Sequence, residues 1–140
     1  MEYYFNNLHK QFVVILAGSV SDEYHIKKIK ANLEDYNIFS FEHYCSAHKE
    51  TSRLLTLLNK YEDSVEKNNR QIVYITCAGL SNALSGVVAC NTKNPVIACP
   101  VLKDNLDVMT NINSTLQCPS KVPVMTVLKP QNVAIAIQRI

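Results

Sequence analysis

A doubly wound α/β fold on a five-stranded parallel sheet is what this sequence predicts, on three observations. Its apolar runs are short and continuous, without the polar alternation of half-exposed strands, which marks strands covered on both faces. Between them lie amphipathic stretches with apolar residues three and four apart, each giving one buried helical stripe. The two kinds alternate strictly with short connections, and parallel strands need crossovers of this sort, almost always right-handed. At 140 residues the chain fits one domain, and a domain of that size buries roughly two thirds of the surface its unfolded form exposes.

Taken in order, an N-terminal arm over residues 1–10 leads to the first strand, Phe12 to Ala17. A helix with Ile26, Ile29 and Leu33 inward follows it. Ile38 to Cys45 is the second strand, and Leu54, Leu58, Tyr61 and Val65 are the stripe of the second helix. The third strand, Ile72 to Cys77, precedes a shorter helix that begins near Ser81 or Asn82 and turns Leu84, Val87 and Val88 inward. Pro95 to Cys99 and Val122 to Val127 are the last two strands, with a helix between them carrying Met109, Ile112 and Leu116 inward. After Pro130 comes a final helix with Val133, Ile137 and Ile140. The strand segments are largely β-branched or aromatic, as a pleated surface prefers. No internal repeat, low-complexity tract or linker divides the chain, so residues 1–140 read as a single domain.

Composition narrows the function classes. Fourteen Lys and Arg against twelve Asp and Glu give a net charge of +2, and no basic run could follow a phosphate backbone, so no nucleic-acid partner is expected. The start, MEYYFNNLHK, lacks the apolar core of a secretory signal, and no apolar run approaches the ~20 residues that span a bilayer. A soluble cytoplasmic protein without a membrane partner is expected. The five cysteines, Cys45, Cys77, Cys90, Cys99 and Cys118, are an odd number without C-x-x-C spacing and read as reduced, buried residues. Cys77 has a second reading as a nucleophile, since it ends an apolar run just before Ala78 and Gly79. There is no Walker motif, no G-x-G-x-x-G and no H-E-x-x-H, so nothing indicates ATP, a dinucleotide or zinc.

In doubly wound sheets ligands bind beyond the carboxyl ends of the strands where strand order reverses. For the order 2-1-3-4-5 that point lies between strands 1 and 3. Three loops belong there. After strand 1, Gly18-Ser19-Val20-Ser21-Asp22 offers a tight turn, two hydroxyls and the N–H groups of a helix start, which attract anions; Ser and Asp are equally the preferred helix caps. After strand 2, Ser46-Ala47-His48-Lys49 opens the second helix. His48 can take and give a proton near neutrality, and Lys49 in a first helical turn opposes the macrodipole unless an anion sits there. After strand 3, the run Ala78-Gly79-Leu80-Ser81-Asn82 is small and polar enough for a flat ring to lie against backbone, with Ser81 or Asn82 bonding that ring or capping the helix. The other histidines, His9, His25 and His43, read as structural or solvated.

As an ordered set, G-S-V-S-D, S-A-H-K and A-G-L-S-N-A-L-S-G resemble the aminoimidazole ribonucleotide carboxylase family of purine biosynthesis, in register from about Phe12 to Ile140. N-T-K-N-P-V-I-A-C-P and C-P-S-K-V-P-V fall where that family has blocks of its own. The resemblance implies a flavodoxin-like three-layer αβα sandwich, an octamer with active sites at subunit boundaries, and chemistry without metal or organic cofactor. Carried over, it implies that Ser19, Ser21 and Lys49 hold the substrate phosphate and Asp22 the ribose hydroxyls. His48 is then the general acid and base, and the loop from Ala78 to Asn82 receives the imidazole ring and carbon dioxide. Gly18, Ser46 and Ala47 complete the substrate-binding loops.

One branch of the family rearranges N5-carboxyaminoimidazole ribonucleotide and reads S-A-H-R in its second motif. The other carboxylates aminoimidazole ribonucleotide directly, and Lys49 with Ser81-Asn82-Ala83 resembles that branch. The expected activity is therefore phosphoribosylaminoimidazole carboxylase, with the mutase, or a non-catalytic nucleotide-binding relative, as alternatives. The direct-carboxylase pattern has Arg where this chain has Leu80 and Gln117, and Gly where it has Lys121. The family continues past Ile140 with a helix that packs on a neighbouring subunit, so weaker assembly is also expected.

Overall fold

A computed structural model describes residues 11–140. Five strands, β1 (Gln11–Ala17), β2 (Ser40–Tyr44), β3 (Gln71–Cys77), β4 (Val96–Ala98) and β5 (Met125–Thr126), form one sheet in the order β2-β1-β3-β4-β5. Every neighbouring pair is parallel. Helices α1 (Glu23–Asp35), α2 (Thr51–Asn68), α3 (Ala83–Cys90), α4 (Asn105–Leu116) and α5 (Val133–Gln138) make the crossovers and the C-terminal cover. The expected order and layering are both present.

Pleating divides the core. On β1, Phe12, Val14 and Leu16 face Leu54, Leu58 and Tyr61 of α2 and Leu84 and Val88 of α3. Val13, Ile15 and Ala17 face Ile26, Ile29 and Leu33 of α1 and Val133, Ala134 and Ile137 of α5. Side chains alternate across a strand while both faces are covered, so a continuous apolar run is what burial on both sides requires. The Asn-Thr-Lys-Asn-Pro block has a structural explanation. Glu62 of α2 accepts hydrogen bonds from Tyr74 Oη (2.8 Å), Thr92 Oγ1 (2.7 Å) and Asn94 Nδ2 (3.0 Å), which pins the turn before β4 to α2.

Four expectations need correction. In α4, Met109 and Leu116 are 68% and 63% exposed, while Asn111 and Thr115 are buried. The helix packs on backbone carbonyls and on the polar start of α3, and buried polar groups must be met by polar partners. In α5, Ile140 lies past the last helical residue and is 55% exposed. The last strand is only Met125–Thr126, because Pro123 has no N–H to give a ladder. Helix α2 starts at Thr51, so Lys49 stands ahead of the helix, outside its first turn.

Candidate functional site

Strand register brings the three loops together. Ala17 at the end of β1 is level with Tyr44 on one side and Cys77 on the other. The ladder continues one residue further, with Cys45 N–H donating to Ala17 O (2.8 Å) and Gly18 N–H to Cys77 O (2.9 Å). A Cβ on Gly18 would lie 3.6 Å from that of Ala78, so the loops after β1 and β3 leave their strands in van der Waals contact. Gly18, Ser46 and Ala78 thus follow three neighbouring strand ends at the carboxyl edge, two of them, β1 and β3, the strands between which the crossovers change direction.

The loop after β1 closes on itself. Ser19 Oγ accepts from Ser21 N–H (3.2 Å) and from Ser21 Oγ (2.8 Å), and Asp22 N–H donates to Ser19 O (3.1 Å), winding Val20–Asp22 into a 3-10 turn ahead of α1. Capping is therefore realised, with both serines still exposed. Asp22 is 5% exposed. Burial pushes its carboxyl above the ordinary carboxylate range, against the pull of Lys103, His25 and hydrogen bonds from Ser21 and Ser19.

After β2 a second closed turn forms. Lys49 N–H donates to Ser46 Oγ (3.2 Å), Ser46 N–H donates to Glu50 Oε2 (3.1 Å), and Glu50 N–H donates to Ser46 O (2.9 Å). Glu50 also pairs with Arg53 at 2.6 Å, and its carboxyl is held below the usual range, first by the Ser46 N–H and then by Arg53. This reciprocal bonding resembles a capping box shifted by one residue. Ala47 is buried, and the turn presents His48 and Lys49 outward.

The loop after β3 is held from behind. Asn82 is buried and caps α3, its Oδ1 accepting from Ser85 N–H (3.1 Å) while its Nδ2 donates to Thr115 Oγ1 (2.9 Å). Of the two readings open for Asn82, its side chain takes the capping one. Ser85 Oγ meets Thr76 Oγ1 at 2.7 Å, and Asn111 Nδ2 donates to Ala78 O at 2.9 Å. Leu80 is 76% exposed at φ 55°, the left-handed region that L side chains avoid, and Ser81 beside it is exposed. Gly79 has open space around it, its would-be Cβ meeting only Val101 O at 3.9 Å.

A family model described as AIR carboxylase matches residues 12–140. The chain belongs to the AIR carboxylase family. A phosphoribosylaminoimidazole carboxylase of Archaeoglobus fulgidus is 39% identical over 91% of this chain and 67% of its own length. One of Treponema denticola is 38% identical over 94% of this chain and 79% of its own. The bifunctional phosphoribosylaminoimidazole carboxylase/phosphoribosylaminoimidazole succinocarboxamide synthetase of Drosophila melanogaster is 38% identical over 88% of this chain, which spans 28% of it. The crystal structure of Treponema denticola PurE superposes with a TM-score of 0.85 at 38% identity, covering 92% of this chain and 78% of that one.

Elsewhere in this AIR carboxylase family member, His43 Nε2 meets Tyr61 Oη at 2.7 Å and His25 Nε2 meets Cys99 O at 3.1 Å; burial lowers the pKa of both rings. Both have structural partners, and His9 lies outside the described residues. All five cysteines are free. Cys45, Cys77 and Cys99 are buried as expected, whereas Cys90 is exposed and Cys118 half-buried. Burial pushes the Cys77 thiol well up and the Cys99 thiol to about 12, so neither supplies thiolate, and the nucleophile reading of Cys77 falls. Among the described residues no three His, Cys, Asp or Glu side chains converge to hold a metal ion, and no helix is long and apolar enough to cross a membrane. Sequence reading missed Glu50, Asn111 and Thr115. The polar pair Asn111 and Thr115, four apart on one helix, was the available signal.

Proposed function

We propose that this chain is a phosphoribosylaminoimidazole carboxylase that joins carbon dioxide directly to C4 of aminoimidazole ribonucleotide, in de novo purine synthesis in the cytoplasm. The observation that carries this is the adjacency of Gly18, Ser46 and Ala78, the first residues of three family-matching loops, on one edge of the sheet. Ser19, Ser21 and Lys49 hold the phosphate, and Asp22 accepts from the ribose hydroxyls. The wall made by Ala78, Gly79, Leu80 and Ser81 receives the ring, with Asn82 fixing that wall from behind.

The exocyclic amine makes C4 an enamine-like nucleophile. Its electron pair forms the new bond to the carbon of carbon dioxide, leaving a carboxylate and a tetrahedral C4 that still bears its proton. His48 takes that proton, and the C–H electron pair restores the aromatic ring. Orientation of the two reactants in one pocket lowers the rest of the barrier, so the step as written asks nothing of ATP. Lys49 and the sequence Ser81-Asn82-Ala83 favour this direct reaction over the mutase.

Leu106, Met109 and Leu116, 74%, 68% and 63% exposed on α4, supply an apolar face of the kind that repeated subunits cover. A homo-oligomer, octameric as in the family, is part of the proposal. The test is turnover: purified protein given aminoimidazole ribonucleotide and bicarbonate without ATP forms the 4-carboxylated nucleotide. Turnover of the N5-carboxylated nucleotide alone assigns the mutase, and ligand-induced stabilisation without turnover of either assigns a binding-only relative.

A further inference from the structure

A fourth connection, residues 99–104 between β4 and α4, is drawn against the loop after β3. It leaves β4 in step with β3, since Cys99 N–H donates to Thr76 O (2.9 Å) and Val101 N–H to Ala78 O (3.1 Å). Asn111 Nδ2 of α4 then reaches Ala78 O at 2.9 Å and Val101 O at 3.4 Å. A Cβ on Gly79 would meet Val101 O at 3.9 Å, so this carbonyl lies against the loop assigned to the ring.

From the other side the connection is held by α1. His25, in the first turn of that helix, brings Nε2 to 3.1 Å from Cys99 O and 3.4 Å from Cys99 Sγ. A carbonyl only accepts, so that nitrogen carries the proton. Burial lowers the pKa of the ring, so a neutral imidazole meets the carbonyl. The Cys99 thiol is buried and pushed up to about 12, so the sulfur brings no charge to the contact. Both ends of the Cys99 backbone are thus engaged, the N–H on β3 and the C=O on α1.

Helix α1 starts directly after the Ser19–Asp22 turn. Gly18 N–H on Cys77 O joins the roots of the loops after β1 and β3, and His25 adds a second tie, from the helix that follows the first loop to the segment that supports the second. We propose that His25 is a positioning residue that sets the spacing between the phosphate and ribose end of the bound nucleotide and its ring end. This rests on the reading of the crevice given above, in which the nucleotide reaches from Ser19 and Ser21 to Ala78 and Gly79. Two loops held in advance at the separation a rigid ligand needs spare that ligand the cost of ordering them. Such a tie is felt by a ligand that spans both loops and not by one that occupies a single loop.

The experiment compares dissociation constants, measured by calorimetry on the full chain, for aminoimidazole ribonucleotide and for ribose 5-phosphate, which offers phosphate and ribose alone. Circular dichroism checks folding. His25→Phe keeps the ring and loses the donor, and His25→Leu does the same in a smaller volume. In whichever of them folds, the nucleotide binds about fivefold more weakly, the equivalent of one typical hydrogen bond, while ribose 5-phosphate stays within about twofold of wild type. His25→Gln, whose amide nitrogen takes the place of Nε2, restores nucleotide affinity. Asn94→Ala, which removes a bond to Glu62 outside the crevice, leaves both constants unchanged. The proposal is overturned if loss of the donor leaves nucleotide affinity at the wild-type value, if both ligands weaken alike, if His25→Gln recovers nothing, or if Asn94→Ala weakens the nucleotide as much. Wild-type protein that binds the nucleotide no more tightly than ribose 5-phosphate overturns the functional reading itself, and this proposal with it.

Discussion

Two halves of the crevice are held in different ways. The loops after β1 and β2 are shaped by hydrogen bonds between residues two to four apart, Ser19 with Ser21 and Ser46 with Lys49 and Glu50, on exposed or half-buried side chains. The loop after β3 is shaped by buried groups more than thirty residues away, Thr115 on Asn82 and Asn111 on Ala78. The halves differ in what water can replace. A hydroxyl lost from an exposed turn is substituted by solvent, whereas a buried amide or carbonyl left without its partner bears the whole desolvation penalty. On the proposed mechanism, the reactive side chains therefore stand on the self-contained turns, and the wall proposed to receive a flat ring is anchored in the core.

His48→Asn is the sharpest way to break this division. Because His48 only rides on its turn, the variant should bind aminoimidazole ribonucleotide within a few-fold of wild type while turnover falls roughly 10²- to 10⁴-fold, the usual worth of a positioned acid or base. Lys49→Ala should do the reverse, weakening binding more than turnover. If binding collapses in His48→Asn and turnover collapses in Lys49→Ala, the two roles are exchanged and the mechanism written for this crevice is wrong.

The next effect is on stability and compares the halves directly. Asn111→Ala removes a buried amide that bonds Ala78 O and Thr115 Oγ1. Although Val101 N–H stays on Ala78 O and Asn82 Nδ2 on Thr115 Oγ1, two buried bonds at about 1 kcal/mol each are lost, so urea unfolding should show a loss of about 2 kcal/mol. Ser46→Ala removes one acceptor from a turn that water reaches, and the loss should stay near 1 kcal/mol or below, as for a typical cap. Equal losses would show that the two turns share one anchoring scheme.

The same division explains what could be read from the sequence. The β1–β4 segments, the stripes of α1 and α2, and the turn residues from Gly18 to Asp22 follow from local pattern, because burial on two faces and closure over four residues leave marks in neighbouring positions. Helix α4 was misread because an apolar spacing of three and four is the same whether the stripe faces a core or a surface, and nothing local announces that Asn111 must meet the Ala78 carbonyl.

Leu80 and Lys121 give the smallest and cleanest test, since both hold left-handed backbone, at φ 55° and 65°, without being glycine. An L side chain pays roughly 1 kcal/mol there, and a glycine returns about 0.5–1 kcal/mol of that through the freer unfolded chain. Lys121→Gly, which restores the residue of the family pattern at an exposed site, should therefore raise stability by at most about 0.5 kcal/mol and leave binding untouched. Leu80→Gly should match it in unfolding but also change affinity for the nucleotide, because Leu80 lies 76% exposed on the wall assigned to the ring. Were the two variants indistinguishable in both measurements, Leu80 would be a turn residue only, and the wall of the crevice would end at Gly79.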